Sequence, residues 1–316
     1  MDLLTIAAGR VEAELRARGV QIVGTECGSP AVMAPAVSGP IDEVAGTVAS
    51  VTAGTGVLRP TGFDGSTCGA ENMPLLNFRD VSSSGASPLK PGRLFRSAQP
   101  FHLDAADLGL IRDVGIRTII DLRELHEQVP PDWSPVEARG VRVVRLPVAD
   151  QILPSADEKA PPSAPPPVSA SVPEGHRILT AFYRAIVDRA HVRLSEFATT
   201  VAEGGPILVH CAAGKDRTGT TVALLLDLIG TDHETIVADF VRTNDAMPDI
   251  MAQLTGMVRP EDRRDPATIP PGISDAPESA IRALLAQVTE MGGAGAVLGR
   301  HTDQATLDQV VATLTE

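Results

Sequence analysis

Residues 210–219 read HCAAGKDRTG, with Cys211 followed after five residues by Arg217 and then by Thr218. A cysteine is ordinarily a small buried hydrophobe, and a loop this rich in small and charged residues is a poor place to bury one. The residue types suit nucleophilic attack on a bound anion instead. Ala212, Ala213 and Gly214 carry little or no side chain, so a ligand can come close to the backbone. The consecutive amides of 212–217 can curl into a concave nest. A helix beginning at residue 218 adds about half a positive charge at its N-terminus. Arg217 brings a planar fork matched to two phosphate oxygens, and Lys215 a second cation. Together these make a socket for a tetrahedral dianion. An ordinary thiol is only slightly ionised at neutral pH, and a helix N-terminus with cations beside it favours the thiolate. Thr218 is spaced to donate a hydrogen bond to the sulfur and help it leave. The chemistry this implies is attack by sulfur on phosphorus.

The flanking sequence supplies the elements that would hold this loop. Residues 206–210, PILVH, form a short apolar run that predicts a buried strand. Residues 218–229 predict a helix stopped by Gly230. Cys211 then lies where a strand ends and a helix begins, the usual ligand position of an α/β sheet. A short strand is expected in GRLFRSAQP (92–100). A helix is expected in LDAADLGLIRDVG (103–115), capped by Asp104, with Leu108 and Ile111 on one face and Gly115 as its stop. IRTIIDLR (116–123) and VRVVRLPV (141–148) predict two further buried strands. Helical periodicity returns over 176–203, with Ile178, Leu179, Phe182 and Ile186 on one face. Residues 233–258 and 277–316 are mostly helical, separated by a Pro/Asp/Arg-rich loop near 259–275. Strands alternating with helices predict an α/β fold with a central, mostly parallel sheet. Residues 73–316 are expected to form that domain, interrupted by a Pro/Ala/Ser-rich loop at 151–175 that cannot be core. Residues 1–72 are expected to be a weakly structured or disordered extension, with a short helix within 1–22 and a Gly/Ser/Thr/Pro/Ala-rich tract over 28–72.

Net charge is −13, so the surface as a whole repels nucleic acid and anionic membranes, and an anionic ligand needs a locally positive site. No basic cluster is laced with aromatic residues; Trp133 and Tyr183 are the single tryptophan and tyrosine. Cys27, Cys68 and Cys211 have no metal-ligand spacing with one another or with the histidines, so a zinc site is not expected, and no cofactor is expected. The longest strongly apolar run, Val222–Leu226, ends at Asp227, too short to span a bilayer. The first residues, MDLLTIAAGR, lack a basic segment followed by an apolar core, so no secretory signal is visible and a cytoplasmic location is expected.

Six stretches stand out in chain order: LLNFRDV (75–81), LKPGRLFRSA (89–98), DLR (121–123), RLPVAD (145–150), PILVHCAAGKDRTG (206–219) and TIVADFVRTNDAMP (235–248). With the Cys-x5-Arg-Thr loop they resemble the protein-tyrosine phosphatase superfamily, in particular its mycobacterial-type tyrosine phosphatase B group. The resemblance implies a phosphocysteine intermediate without metal, and helices over 233–258 acting as a lid. It implies phosphotyrosine proteins as substrates, with phosphoserine, phosphothreonine or phosphoinositide head groups as further ones. The departing oxygen needs a proton, and a carboxylic acid is the expected donor. The Trp-Pro-Asp loop of some relatives is absent. Asp132 in PPDW precedes the strand at 141–148 and should lie at its wrong end. Asp150 follows that strand and matches the P-x-x-D position of the group. Asp216, inside the loop, is typical of this branch and is taken as the principal carboxylate, with Asp150 contributing. His210 is expected to organise the loop rather than act as a base. Lys215 either adds affinity for multiply phosphorylated head groups or is a solvated loop residue. Arg79, Asp80 and Arg96 fit structural ion pairs as well as substrate contacts. The rival readings are an enzyme acting first on lipids and a silent module that binds a phospho-ligand without turnover.

Overall fold

Apolar runs become strands and capped amphipathic stretches become helices along the computed structural model, which describes residues 22–24, 30–32, 75–128, 133–149, 172–263 and 265–316. The chain divides into two units, Met1–Glu71 and Asn72–Glu316. In the first, β1 (Ile22–Gly24) pairs antiparallel with β2 (Pro30–Val32). The helix expected within 1–22, Cys27, Cys68, Asp132, Asp150 and most of the 151–175 loop lie outside the described residues.

The second unit begins with β3 (Arg79–Asp80), β4 (Leu94–Ser97), α1 (Ala105–Asp113), β5 (Thr118–Asp121), α2 (Ser134–Glu137) and β6 (Arg142–Arg145). It continues with α3 (Glu174–Arg189), α4 (His191–Ala202), β7 (Ile207–His210), α5 (Asp216–Leu228), α6 (His233–Val241) and α7 (Thr243–Met257). The chain closes on α8 (Glu278–Glu290), α9 (Ala294–Leu298) and α10 (Gln304–Thr315). Five strands form one sheet in the order β3-β4-β7-β5-β6. The pairs β4–β7, β7–β5 and β5–β6 are parallel, and β3 adds an antiparallel edge. This is the α/β architecture expected from the alternation of elements. In the register, His210 stands opposite both Ser97 and Asp121, so three strands end level with one another and Cys211 follows directly.

The central strand β7 is buried along its whole length. The expectation for 141–148 needs correction: the strand there is β6, an edge strand with Arg142 and Arg145 exposed. Burial resumes only past its end, at Leu146 and Val148. Asp104 caps α1 through the amides of Ala106 and Asp107, and Asp107 answers on the Asp104 amide, a reciprocal pair that satisfies donors the helix cannot.

The expected helix over 176–203 is divided at Ala190 into α3 and α4. Its buried face is Leu179, Tyr183, Ile186 and Val187, spaced i, i+4, i+7, i+8. Ile178, assigned to that face from the sequence, is 44% exposed. One residue rotates a helical position by about 100°, which carries Ile178 out of the apolar stripe. The helix α8 packs against α3 and α6, and α10 against α4, closing the main core over one face of the sheet. Among the described residues, no helix is long and apolar enough to cross a membrane.

Candidate active site

The loop from Cys211 to Lys215 joins β7 to α5, and its shape is set by where its carbonyls go. His210 Nδ1 bonds the Cys211 carbonyl at 3.1 Å, and the Gln99 amide donates to that of Ala212 at 3.0 Å. Asn77 Nδ2 donates to the carbonyls of Ala213 and Gly214 at 3.3 and 3.2 Å, and Arg96 Nη2 to Gly214 at 2.6 Å. The Gly219 amide takes the Lys215 carbonyl at 2.7 Å. Every carbonyl of the loop is therefore tied to the surrounding protein. Among the described residues the amides of 212–215 donate to nothing. A peptide plane whose oxygen is held on one side presents its N–H to the other, so the loop is a nest of unspent donors. The helix begins at Asp216, two residues earlier than expected, and aims its N-terminus at the same place.

Gly214 shows how tightly the nest is held. Its φ is +64°, a left-handed conformation, and a Cβ there would stand 2.1 Å from the Ser97 carbonyl oxygen. The glycine is required by the neighbouring backbone rather than by clearance for a ligand. Gly214→Ala should lower stability by at least ~2 kcal/mol, from backbone strain plus overpacking, and reduce turnover with it. Urea unfolding and kcat measure both; a variant with unchanged midpoint and rate would mean that the loop is not fixed at this point.

Arg217 is buried, and the occupancy of its donors decides what it can bind. Glu127, which the sequence reading did not single out, pairs with it through both carboxylate oxygens: Nη2 to Oε1 at 2.8 Å, and Nη1 to Oε2. Nη1 also points to the Leu122 carbonyl at 3.4 Å. A guanidinium has five N–H groups in a rigid plane, so the Nε–H and one Nη2–H, lying parallel on another edge, are left for an anion. Burial pulls the Arg217 pKa down, but the bond and charge of Glu127 and the charges of Cys211 and Glu124 more than offset it, and the net direction is up. Glu127 also loses by burial, yet Arg217 holds its carboxyl below the usual range. The pair is a fixed ion pair that orients the free edge. Arg123 braces it from behind, donating to the Glu127 carbonyl at 3.1 Å and to Gln99 Oε1 at 3.2 Å while ion-paired to Asp121 at 2.8 Å.

His210 is bonded to the first carbonyl of the loop. It is fully buried, and burial first, then the charges of Arg123 and Arg217, lower its pKa to about 4 despite the pull of Asp121. Trp133 Nε1 lies 2.6 Å from His210 Nε2. An indole N–H only donates, so Nε2 accepts and the ring proton sits on Nδ1, which donates to the Cys211 carbonyl. Held neutral by burial and with both nitrogens engaged, the ring is placed to tie the loop to Trp133.

The remaining expected residues divide. Cys211 sits 2% exposed at the foot of the nest, with Ala212, Ala213 and Gly214 forming its wall. Asp216 is the first helical residue; its Oδ1 accepts from the Tyr183 hydroxyl at 2.6 Å and lies 3.6 Å from Lys215 Nζ. Lys215 is not the solvated residue that one reading allowed: it is buried, and its ammonium donates to the carbonyls of Ile273 and Asp275, both at 2.8 Å. The bond expected from Thr218 to the sulfur is not made. As the third helical residue Thr218 is wholly buried, and its hydroxyl has no hydrogen-bond partner.

Arg79 and Arg96 form structural ion pairs, converging on buried Asp239 of α6 at 2.8 and 2.5 Å. Asp80 accepts from the amides of Ser82 and Gly92 and shapes the turn between β3 and β4. Along the segment expected to be a lid, α6 is fastened by Asp239 and buries Ile236, Val237 and Phe240. The next helix, α7, lays Met247 and Ile250 against Ala98, Phe101 and Ala213. Among the described residues, no group of three or more His, Cys, Asp or Glu could hold a metal ion.

One family and three known proteins resemble this chain. The model of the tyrosine phosphatase family matches residues 73–316. The triple specificity protein phosphatase PtpB of Mycobacterium tuberculosis is 36% identical over 200 residues, covering 58% of this chain and 72% of that protein. A Cupriavidus necator protein, H16_A0669, named as a candidate tyrosine-protein phosphatase, is 32% identical over 178 residues, covering 53% of this chain and 60% of its own length. Among solved structures, the catalytic core of Siw14 aligns with 60% of this chain and 89% of its own at 16% identity, with a TM-score of 0.32.

Proposed function

The chain belongs to the tyrosine phosphatase family, and from that footing we propose that it hydrolyses phosphotyrosine through a phosphocysteine formed on Cys211. One observation carries the reading: the carbonyls of 211–215 are all hydrogen-bonded, so their amides are left for a ligand, beside an arginine that Glu127 holds by its far side with the Nε/Nη2 edge left free. The loop amides and the Nε/Nη2 edge of Arg217 bind the non-bridging oxygens. The Cys211 sulfur attacks phosphorus as the bond to the tyrosine oxygen breaks, and Asp216 delivers the proton that oxygen needs. A water then attacks the phosphocysteine, giving its proton to Asp216 while the thiolate leaves, and inorganic phosphate is released. The cover over the bound ligand is α7, which already touches Ala213; α6 is held as part of the core.

PtpB is described as a triple specificity phosphatase, which supports testing phosphoserine, phosphothreonine and phosphoinositide substrates as well. Lys215 weighs against a lipid as the first substrate, because its ammonium is committed to two backbone carbonyls rather than offered to a second phosphate. Comparing kcat/KM on a phosphotyrosine peptide and on a phosphoinositide decides between them; a higher value on the lipid would reverse the order. Absence of phosphate release from every substrate would leave the silent binding module.

The acid role makes a sharper prediction. Asp216→Asn should slow aryl phosphates with poor leaving groups by ~10²-fold or more, and those with good leaving groups by only a few-fold, because a good leaving group needs no proton. Equal slowing across the series would remove Asp216 from that role.

A further inference from the structure

Tyr183 is the only tyrosine of the chain and lies in the middle of the buried face of α3. Its ring is fully buried and stands edge-on to Phe240, with centroids 5.9 Å apart at 78°. Its hydroxyl reaches out of the core to Asp216 Oδ1 at 2.6 Å. Burial first, then the charges of Asp216 and Cys211, push the phenol pKa well above its ordinary value, so the proton stays on the tyrosine and the bond runs from Tyr183 to Asp216. The other carboxylate oxygen, Oδ2, has no hydrogen-bond partner among the described residues, and the Asp216 side chain is 25% exposed. One oxygen is thus held from inside the fold and the other is left on the open side.

We infer that Tyr183 is a positioning residue for proton transfer, fixing Asp216 so that Oδ2 is the oxygen that carries the proton. The inference rests on the reading of Asp216 as proton donor. As the sulfur–phosphorus bond forms and the phosphorus–oxygen bond breaks, the proton passes from Oδ2 to the leaving oxygen. Negative charge then grows on the carboxyl group. Oδ1 already accepts from a phenol that core packing prevents from moving, so the charge meets a donor in place, with nothing to reorganise. Hydrogen bonds to charged groups are the stronger kind, and this one gains strength as the reaction proceeds.

The test uses Tyr183→Phe in the full chain, which keeps the ring in the core and removes only the hydroxyl. With a series of aryl phosphates, kcat should fall ~10-fold for poor leaving groups and less than about 3-fold for good ones, with KM nearly constant. In an Asp216→Asn background the same change should cost nothing more, since there is no proton to position. A uniform fall across the series, or a full additional loss in that background, would overturn the inference. Asp216→Glu approaches it without touching the core: the carboxyl survives but is moved off the Tyr183 hydroxyl, and the same dependence on leaving group is expected. If that variant keeps wild-type sensitivity, positioning by Tyr183 is equally refuted. Cys211→Ser, assayed alongside, separates the two levels: turnover lost there but unpatterned in Tyr183→Phe refutes only the role of the tyrosine, whereas turnover surviving there refutes the phosphocysteine.

Discussion

Cys211→Ser should lose at least ~10⁴-fold in kcat while binding a phosphotyrosine peptide within a few-fold of wild type. The asymmetry follows from which atoms do which work. In the proposed mechanism binding falls to the loop amides and the free edge of Arg217, and none of these is changed by replacing one sulfur with oxygen. Their orientation depends on the carbonyls held by His210, Gln99, Asn77 and Arg96 and on the Glu127 pair, all outside the altered side chain. The reaction requires a nucleophile that is ionised and can also depart, and a serine hydroxyl is neither at neutral pH. Phosphate release and calorimetric titration measure the two halves separately. A serine variant that keeps more than about 1% of the wild-type rate would rule out the covalent route through Cys211.

The second large effect is on stability. Asp239→Asn should destabilise the protein by about 3–5 kcal/mol, read as a lower urea midpoint, because it leaves two guanidinium groups buried without their shared counter-charge. Arg79 and Arg96 are almost wholly shielded from solvent and meet on the two oxygens of Asp239. Ser84 adds a hydroxyl at 2.9 Å, and Arg79 Nη2 also takes the Asp239 carbonyl at 2.7 Å. Burial raises the Asp239 pKa, but the charges of Arg96 and Arg79 outweigh it and the net direction is down. A carboxyl with a depressed folded pKa contributes stability that is fully present above its unfolded value and lost as pH falls through the folded one. The wild type should therefore lose this contribution only in acid, while the asparagine variant lacks it throughout. Activity should fall with it, since Arg96 also holds the Gly214 carbonyl. A midpoint shift equivalent to less than about 1 kcal/mol would show that the arginines find other partners.

Much of this site is written in the sequence as contiguous text. Cys211, Arg217 and the small residues between them lie in one loop, and the apolar run before them and the helix after them are local patterns. What could not be read is the set of residues that come from elsewhere in the chain. Glu127 lies 90 positions from Arg217 and follows an unremarkable turn; only the sheet register, which sets β5 beside β7, brings them together. Asn77 sits inside LLNFRDV, which was noticed, but its target is 136 residues away. Trp133 and Tyr183 are each single in the chain, and that rarity is the one hint in the sequence that each has a particular partner. Ile178 and the 141–148 strand were misjudged for a different reason. Periodicity tells which residues share a face but not which face is covered, and an edge strand looks like a buried one until its neighbour is known to be missing.

The placement of Trp133 and Tyr183 has an optical consequence. One indole and one phenol make up nearly all the near-ultraviolet absorption of this chain, and both end on residues flanking the 211–215 loop, the indole against His210 and the phenol against Asp216. The intrinsic emission of the protein is therefore a label already installed at both ends of that loop. It should respond to phosphate or vanadate entering the loop while staying indifferent to events on the helices at the far end of the chain.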